Sequence, residues 1–375
     1  MEFSLKKFFN KQVLHHIAKV DSVVGIDIGA SSIKVVQLRA HGGRATLETY
    51  GTIALGPYGK VDIGETTNLG ANELVSALAD VLHEAGVTTK TSAFSMPSSA
   101  SLIFILDLPA AIEEDQLATV VPTQARKYIP VPMNEVTLDW QVIPKKEEIF
   151  EDSVGLDKNK EMPKMQVLLV AVHNDTISKY QEVIKRSSLT APVFEVETFS
   201  SIRSSFTNTK ESALFIDFGA LKTKLAVIEH GLIKHFHVIN RGSRDMTTSI
   251  ATALGISFTD AEKYKREYGL YGAPHEDRTG EVARQSIDFI IAEIGTTILQ
   301  YERKYGKKIS KLVCAGGGAL LKGLDIYVGE ALALPVELSN PFAKTEAPAF
   351  LNKVLASAGP EFTIATGLAL RALEN

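Results

Sequence analysis

The chain contains one tight turn twice. Ile26-Asp27-Ile28-Gly29-Ala30 and Ile216-Asp217-Phe218-Gly219-Ala220 match at four of five positions, and the register holds as far as Lys34 and Lys224, with both pairs 190 positions apart (217 − 27 and 224 − 34). Apolar runs precede each Asp (Val23, Val24, Ile26; Leu214, Phe215, Ile216) and resume after each turn (Ile33, Val35, Val36, Leu38; Leu225, Ala226, Val227, Ile228). The pattern is strand, Asp-Gly turn, strand, and each copy opens a lobe. A third glycine cluster, Gly316-Gly317-Gly318, follows the apolar stretch Leu312-Val313-Cys314. A cleft that grips a nucleotide between two related lobes requires two such hairpins and a glycine-rich strand-to-helix junction. A single Asp-Gly turn is ordinary hairpin chemistry that needs no ligand, so the duplication and the triple glycine together carry the reading.

The residue types fit phosphate and metal. Gly29 and Gly219 expose backbone N–H groups where no side chain obstructs a phosphate chain. Ser31 and Ser32 add donors, and Lys34 supplies a point charge for a phosphate oxygen. Asp27 and Asp217 would repel phosphate directly but can hold a hydrated Mg²⁺ that bridges to it. Other nucleotide motifs fail. Gly318 and Gly323 have Walker-type spacing, but Leu324-Asp325 stands where Lys-Ser/Thr is required, and no G-x-G-x-x-G follows the first strand. Thr259-Asp260-Ala261-Glu262 reads as a capping box that places Glu262 and Lys265 in the first turns of a helix, on its own a solvated face.

Along the chain, 23–53 reads as three consecutive strands and 73–85 as a helix stopped by Gly86. An apolar strand at 102–106, a helix from about Glu113 and a strand at 136–143 form a small inserted subdomain. The charged stretch 145–164 reads as an exposed connection. A buried strand at 167–172, a helix at 175–187, a strand at 192–196 and a helix at 198–205 complete the first lobe. Beyond the second hairpin come a helix at 244–254, a helical region to about Tyr305, the glycine cluster and a last helix at 364–373. The expected division is 1–20, an N-terminal segment; 21–94 and 165–207, the first lobe; 95–164, the insertion; and 208–375, the second lobe, with a helical subdomain at about 250–308 and a last helix that returns toward the first lobe.

Composition excludes several classes. Hydrophobic content of 45% with 22% charge describes an ordinary globular protein, and a net charge of −4 gives no long-range reason for nucleic-acid binding. The single cysteine, Cys314, cannot form an internal disulfide, which favours a reducing compartment. No apolar run approaches a membrane span, and lysines interrupt residues 1–20, so no signal-peptide core is present. Phe3, Leu5, Phe8, Phe9, Val13, Leu14 and Ile17 recur at helical spacing among those lysines. Such a helix can rest on an anionic membrane, on a partner or on its own domain, and periodicity does not distinguish these.

Taken together, these residues resemble the actin/Hsp70/sugar-kinase ATPase fold: α/β, two lobes, each built on a ribonuclease-H-like domain. Ile26-Asp27-Ile28-Gly29 and Ile216-Asp217-Phe218-Gly219 stand as its two phosphate loops and Ala315-Gly316-Gly317-Gly318 as its adenosine loop. The resemblance implies that Glu262 and Lys265 contact ribose and base. It also implies that Glu197, which enters a helix after Glu195-Val196, lies near the metal and the attacking water as the catalytic candidate. The run from Gly25 to Val36, the insertion after the first helix and the ending Ala365-Thr366-Gly367-Leu368-Ala369 are similar to the PilM family of type IV pilus assembly, related to FtsA by an inserted small subdomain. That resemblance implies binding of ATP with Mg²⁺, a cytoplasmic location at the inner face of the membrane, and docking of the N-terminal peptide of a PilN-like inner-membrane protein.

The second loop departs from active relatives. Ala220-Leu221-Lys222-Thr223 stands where actins and Hsp70s present further Gly or Asp residues, leaving Thr223 as the hydroxyl donor, so hydrolysis is expected to be slow or absent. The alternatives are an FtsA-like cell-division tether, which ends in an amphipathic helix not evident here, and a sugar or acid kinase, whose substrate-site signature is not found. The strand at 102–106 lies in a small unit with few strands to cover its edges, which makes the region 95–143 the expected site for a partner's extended peptide.

Overall fold

The computed structural model describes residues 21–143, 164–206, 211–274 and 278–374. The amphipathic segment at 3–17 and nearly all of the charged stretch at 145–164 lie outside them. In the first lobe, β1 (Ser22–Ile28), β2 (Ser32–His41), β3 (Arg44–Ala54), β4 (Thr91–Met96) and β8 (Thr190–Val196) form one sheet in the order β3-β2-β1-β4-β8. In the second lobe, β9 (Ser212–Phe218), β10 (Thr223–Glu229), β11 (Leu232–Ile239), β12 (Lys311–Ala315) and β13 (Val336–Leu338) take the order β11-β10-β9-β12-β13. The two sheets share their pattern: three antiparallel strands joined by hairpins, then two parallel ones. The repeat seen in the turns therefore extends through both lobes. Each ladder also sets the repeated residues face to face, Asp27 opposite Lys34 and Asp217 opposite Lys224.

Helices cover the sheets with their apolar faces. Leu74, Ala77, Leu78 and Val81 of α1 (Ala71–Glu84) are buried in the first-lobe core, and Gly86, at φ +64°, follows that helix in the left-handed region that glycine adopts without strain. Between β11 and β12 the second lobe carries α5 (Ser243–Leu254), α6 (Phe258–Tyr268) and the long α7 (Arg278–Tyr305), packed through Ile250, Ala261, Ile287, Ile290 and Ile294. The cap of α6 differs from expectation: Ser257 is the N-cap and its hydroxyl accepts from the Asp260 N–H. Residues α8 (Leu324–Leu332) and α9 (Asn352–Ala358) lead to the last helix, α10 (Thr363–Leu373), which crosses back onto β1, β2 and α4 (Glu197–Ser205). Glycines permit that approach. A Cβ on Gly25 would stand 1.9 Å from the Ala365 carbonyl oxygen, and one on Gly367 1.9 Å from that of Ser200. The ending Ala365-Thr366-Gly367-Leu368-Ala369 is thus a close-packing motif.

The insertion is a three-stranded sheet, ordered β5 (Ser101–Pro109), β7 (Lys164–His173), β6 (Val136–Ile143), covered by α2 (Glu114–Ala125). The apolar run 167–172, expected in the first lobe, is its central strand. The physical reason is burial on both faces. Val167, Leu169 and Ala171 pack with Leu117 and Val121 of α2, while Leu168, Val170 and Val172 join the main core. A strand buried on both sides reads as a continuous apolar run whichever sheet it joins, and each such side chain contributes about 1.5–3 kcal/mol by leaving water. From β7 the chain enters α3 (Asn174–Arg186) and returns to the first-lobe sheet at β8. Strands β5 and β6 are the edges of the inserted sheet. Both pair with β7 and not with each other, and β5 lies beside β11 of the second lobe.

Candidate functional site

The two Asp hairpins and the glycine cluster face one another across a cleft of about 670 Å³ between the lobes. Its wall includes Asp27, Gly29, Ser31, Ser32, Lys34, Glu197, Asp217, Gly219, Glu262, Lys265 and Gly316-Gly317-Gly318. Thr223 does not line it. That side chain is fully buried and its hydroxyl donates to the Arg241 carbonyl at 2.9 Å, because strand alternation directs Thr223 away from the side taken by Lys224. The hairpin glycines also act differently from expectation. The Gly29 N–H donates to the Ser32 carbonyl at 3.0 Å and the Gly219 N–H to that of Lys222 at 3.1 Å, so both close their own turns. Their value to a ligand is the absent side chain.

The triple glycine divides by role. Gly316 sits at φ +83°, where a Cβ would also stand 2.4 Å from Asp217 Oδ1, and a Cβ on Gly318 would stand 2.8 Å from the Phe218 carbonyl oxygen. Both are demanded by packing. Gly317 has ordinary space, its nearest neighbour Glu361 being 3.9 Å away, so a side chain there would enter the cleft.

The acidic centre is asymmetric. Asp27 is buried and accepts from the Ser95 hydroxyl at 2.9 Å. Burial pushes its carboxyl up to about 6; Lys34, Lys224 and the Ser95 hydroxyl pull against this without cancelling it, and the negative charge of Glu197 adds to the rise. Lys34 itself donates to the Ser32 hydroxyl at 2.7 Å. Asp217 is closed off by Lys224, whose Nζ lies 2.8 Å from Asp217 Oδ2 and 2.8 Å from Glu197 Oε1. Burial alone would push that ammonium down, but the two carboxylates outweigh it and hold Lys224 above the ordinary lysine range. Glu197, the first residue of α4, also accepts from the Ser98 N–H at 2.6 Å.

On the second-lobe side, Glu262 and Lys265 are buried and paired at 2.6 Å, and both bond Thr247 of α5. They are not a solvated face. Burial pushes the Glu262 carboxyl up, but Lys265 and the bonds from Lys265, Thr247 and Arg266 outweigh it and hold it below the usual range; burial lowers Lys265 in turn. Sequence reasoning missed Ser95, Ser98, Thr247 and Arg241, whose guanidinium lies 5.6 Å from the Phe289 ring centroid at the cleft wall. A lone serine or threonine carries no spacing signal. Lys224 is legible from sequence as the counterpart of Lys34 in the repeat, but not as the partner of Glu197.

The sequence model describing type IV pilus assembly protein PilM matches residues 25–373. The chain belongs to the PilM family. A solved structure described as a PilM-PilN type IV pilus biogenesis complex superposes with a TM-score of 0.79 at 23% identity, covering 96% of this chain and all of that one. The ethanolamine utilization protein EutJ of Carboxydothermus hydrogenoformans follows the same fold with a TM-score of 0.54 at 13% identity, covering 95% of this chain and 92% of that one. By sequence, the chain is 24% identical to cell division protein FtsA of Neisseria meningitidis over 63% of its length and 60% of that protein's. It is 27% identical to FtsA of Agrobacterium fabrum over 41% and 38% respectively. The chain therefore spans less than two thirds of the length of these curated relatives, and the likeness identifies a shared actin-like architecture.

Within this PilM-family cleft the residues fit a divalent ion on one side only. Asp27 is a buried carboxylate at the cleft wall that forms no ion pair among the described residues, in reach of a hydrated cation. Asp217, read from sequence as its symmetric partner in metal binding, is already balanced by Lys224. Among the described residues no group of three His, Cys, Asp or Glu side chains is placed to hold a metal ion.

Proposed function

We propose that this PilM-family chain binds Mg-ATP between its lobes and serves as an actin-like scaffold of the inner-membrane pilus assembly platform, docking the N-terminal peptide of a PilN-like membrane protein at its cytoplasmic face. The observation that carries the nucleotide reading is the open Cβ direction at Gly317 opposite the two hairpins, in a cleft large enough for a ligand of this class. Asp27 would hold the ion, which screens the phosphate charge, while Lys34 and the 30–32 turn line the phosphate path and Glu262 and Lys265 the nucleoside end. The Mg-ATP complex then acts as a structural ligand. With the second loop poor in polar groups and Glu197 engaged by Lys224 and Ser98, turnover is slow or absent.

The partner reading is supported by family membership and by likeness to a structure of a PilM-PilN type IV pilus biogenesis complex. The edge at β6 of the inserted sheet, with no strand beyond it among the described residues, suits an extended peptide. Calorimetry with Mg-ATP tests the site, with Asp27→Ala expected to weaken Mg²⁺-dependent binding; unchanged affinity in a folded Asp27→Ala protein would refute it. At about 100 times its dissociation constant, Mg-ATP should add on the order of 2.7 kcal/mol of stability. Pull-down from detergent-solubilised membranes separates the pilus reading, which expects a PilN-like protein, from a cell-division tether, which expects divisome components.

A further inference from the structure

We propose that Lys224 is a built-in cation: its ammonium, 2.8 Å from both Asp217 Oδ2 and Glu197 Oε1, occupies the charge-balancing place of a second metal site, so that a divalent ion in this cleft is left to Asp27 alone. The role toward a nucleotide rests on the reading of the cleft given above. The charge balance is set by these side chains themselves.

Glu197 begins α4 in the first lobe and Asp217 is next to last in β9 of the second, and both carboxylates are almost wholly buried, with side chains 7% and 8% exposed. Two buried anions brought together from different lobes repel each other and are poorly solvated unless a cation sits between them. That cation can be a diffusible metal or a fixed side chain. Here it is fixed, because the β9–β10 ladder sets Lys224 directly opposite Asp217. The first lobe has the same ladder pair, Asp27 opposite Lys34, yet Lys34 turns to Ser32 and, among the described residues, Asp27 forms no ion pair and accepts from the Ser95 hydroxyl. One of two related hairpins thus closes its carboxylate and the other leaves its own open. The broken symmetry has a local cause: Glu197 supplies a second carboxylate to Lys224. The Ser98 N–H shares Glu197 Oε1 with that lysine, so this oxygen is held by two donors.

The test is Mn²⁺ titration of the full chain followed by electron paramagnetic resonance, first without nucleotide and then with a non-hydrolysable ATP analogue. Wild type is expected to bind Mn²⁺ weakly without nucleotide and more tightly when the analogue is present. Lys224→Met, which keeps the aliphatic stem and removes the charge, should bind Mn²⁺ without nucleotide about 10- to 100-fold more tightly than wild type, the range by which neighbouring groups tune metal sites. Adding Asp217→Asn should abolish that gain. A Lys224→Met protein that unfolds in chelator and refolds on Mn²⁺ also supports the proposal, since the metal then replaces the lysine. A folded Lys224→Met protein with wild-type Mn²⁺ affinity overturns it, as does one that Mn²⁺ leaves unfolded. The nucleotide reading fails separately, when wild type binds no ATP analogue, because the nucleotide-free titration tests Lys224 against its carboxylates alone.

Discussion

The Glu65 carboxylate lies 2.7 Å from Arg244 Nε and joins the two lobes beside the cleft, whose wall includes the neighbouring Gly64 and Ser243. Glu65 belongs to the loop between β3 and α1, and Arg244 to the first turn of α5. Gly64 beside it sits at φ +96° against Glu262, where a Cβ would stand 2.8 Å from that carboxylate carbon, so the loop seats closely on α6.

This pair should act on exchange more than on folding. Its side chains are 35% and 22% exposed, and solvent-screened pairs of this kind contribute about 0.2–1 kcal/mol. Glu65→Gln and Arg244→Gln are each expected to speed release of a fluorescent ATP analogue by roughly 1.5- to 5-fold, with the increase shrinking at high salt. Stopped-flow release rates measure this. The charge-reversed double variant Glu65→Arg with Arg244→Glu should recover most of the loss, and equal rates in all four proteins would show that the pair does not gate the cleft.

A second ion cluster acts on stability instead. Glu195 is buried against Arg203 and Arg371, which joins α10 to β8 and α4. Burial pushes the carboxyl up, but the two guanidinium groups and the Ser200 hydroxyl outweigh it and hold it down at about 2. A depressed acid stabilises the fold above its unfolded value and loses that contribution as pH falls, here from about 4.5 toward 2. The shift corresponds to on the order of 3 kcal/mol. Glu195→Gln should therefore lower stability by about 3–5 kcal/mol at pH 7, because it takes the shared carboxylate from two buried arginines. Denaturant melts at pH 7 and pH 3 check it: the gap between the two proteins should narrow at the lower pH.

Asp27 has the opposite sign. Its carboxyl is raised from 3.8 to about 6, so its folded-state contribution is present at low pH and lost as pH rises through that window. Asp27→Asn is expected to be more stable than wild type above pH 6, by at most on the order of 3 kcal/mol, and equal to it near pH 4. The same variant should lose Mg²⁺-dependent ATP binding. Such an exchange of stability for function marks a site residue. Thermal melts of both proteins across pH 4–8 with calorimetry decide it, and an advantage of the Asn variant over wild type no larger at pH 7.5 than at pH 4 would contradict the assignment.

What could be read from sequence was whatever repeats or has a period. The duplicated Asp-Gly turns disclosed two related lobes, and the apolar alternation around them placed β1, β2, β9 and β10. What could not be read depends on partners distant in the chain. Glu65 and Arg244 are 179 positions apart, and no local pattern joins them. Lys224 is visible as a lysine after the second turn, but its bridge to Glu197 exists only once α4 meets β10. The run at 167–172 is legible as a buried strand, whereas its sheet is set by which neighbours cover its two faces. Thr223 and Lys224 take opposite sides of one strand, and the side facing the cleft is decided by β9.

The glycine cluster offers the sharpest separation of packing from binding. Gly316→Ala should destabilise the fold by at least about 1 kcal/mol, since it places a Cβ against Asp217 at a positive φ. Gly318→Ala should also destabilise, through contact with Phe218. Gly317→Val behaves differently. The space around Gly317 accepts a Cβ, so its melting temperature should stay within a few degrees of wild type, while the branched side chain projects into the cleft and blocks the approach of a ligand to the backbone. Calorimetric affinity for Mg-ATP is expected to fall by at least about tenfold, which is 1.4 kcal/mol. Gly317→Ala, with a single methyl group, should fall between the two. If Gly317→Val stays folded and binds Mg-ATP like wild type, the nucleotide does not pass over this loop, and the triple glycine serves the junction between β12 and its neighbours alone.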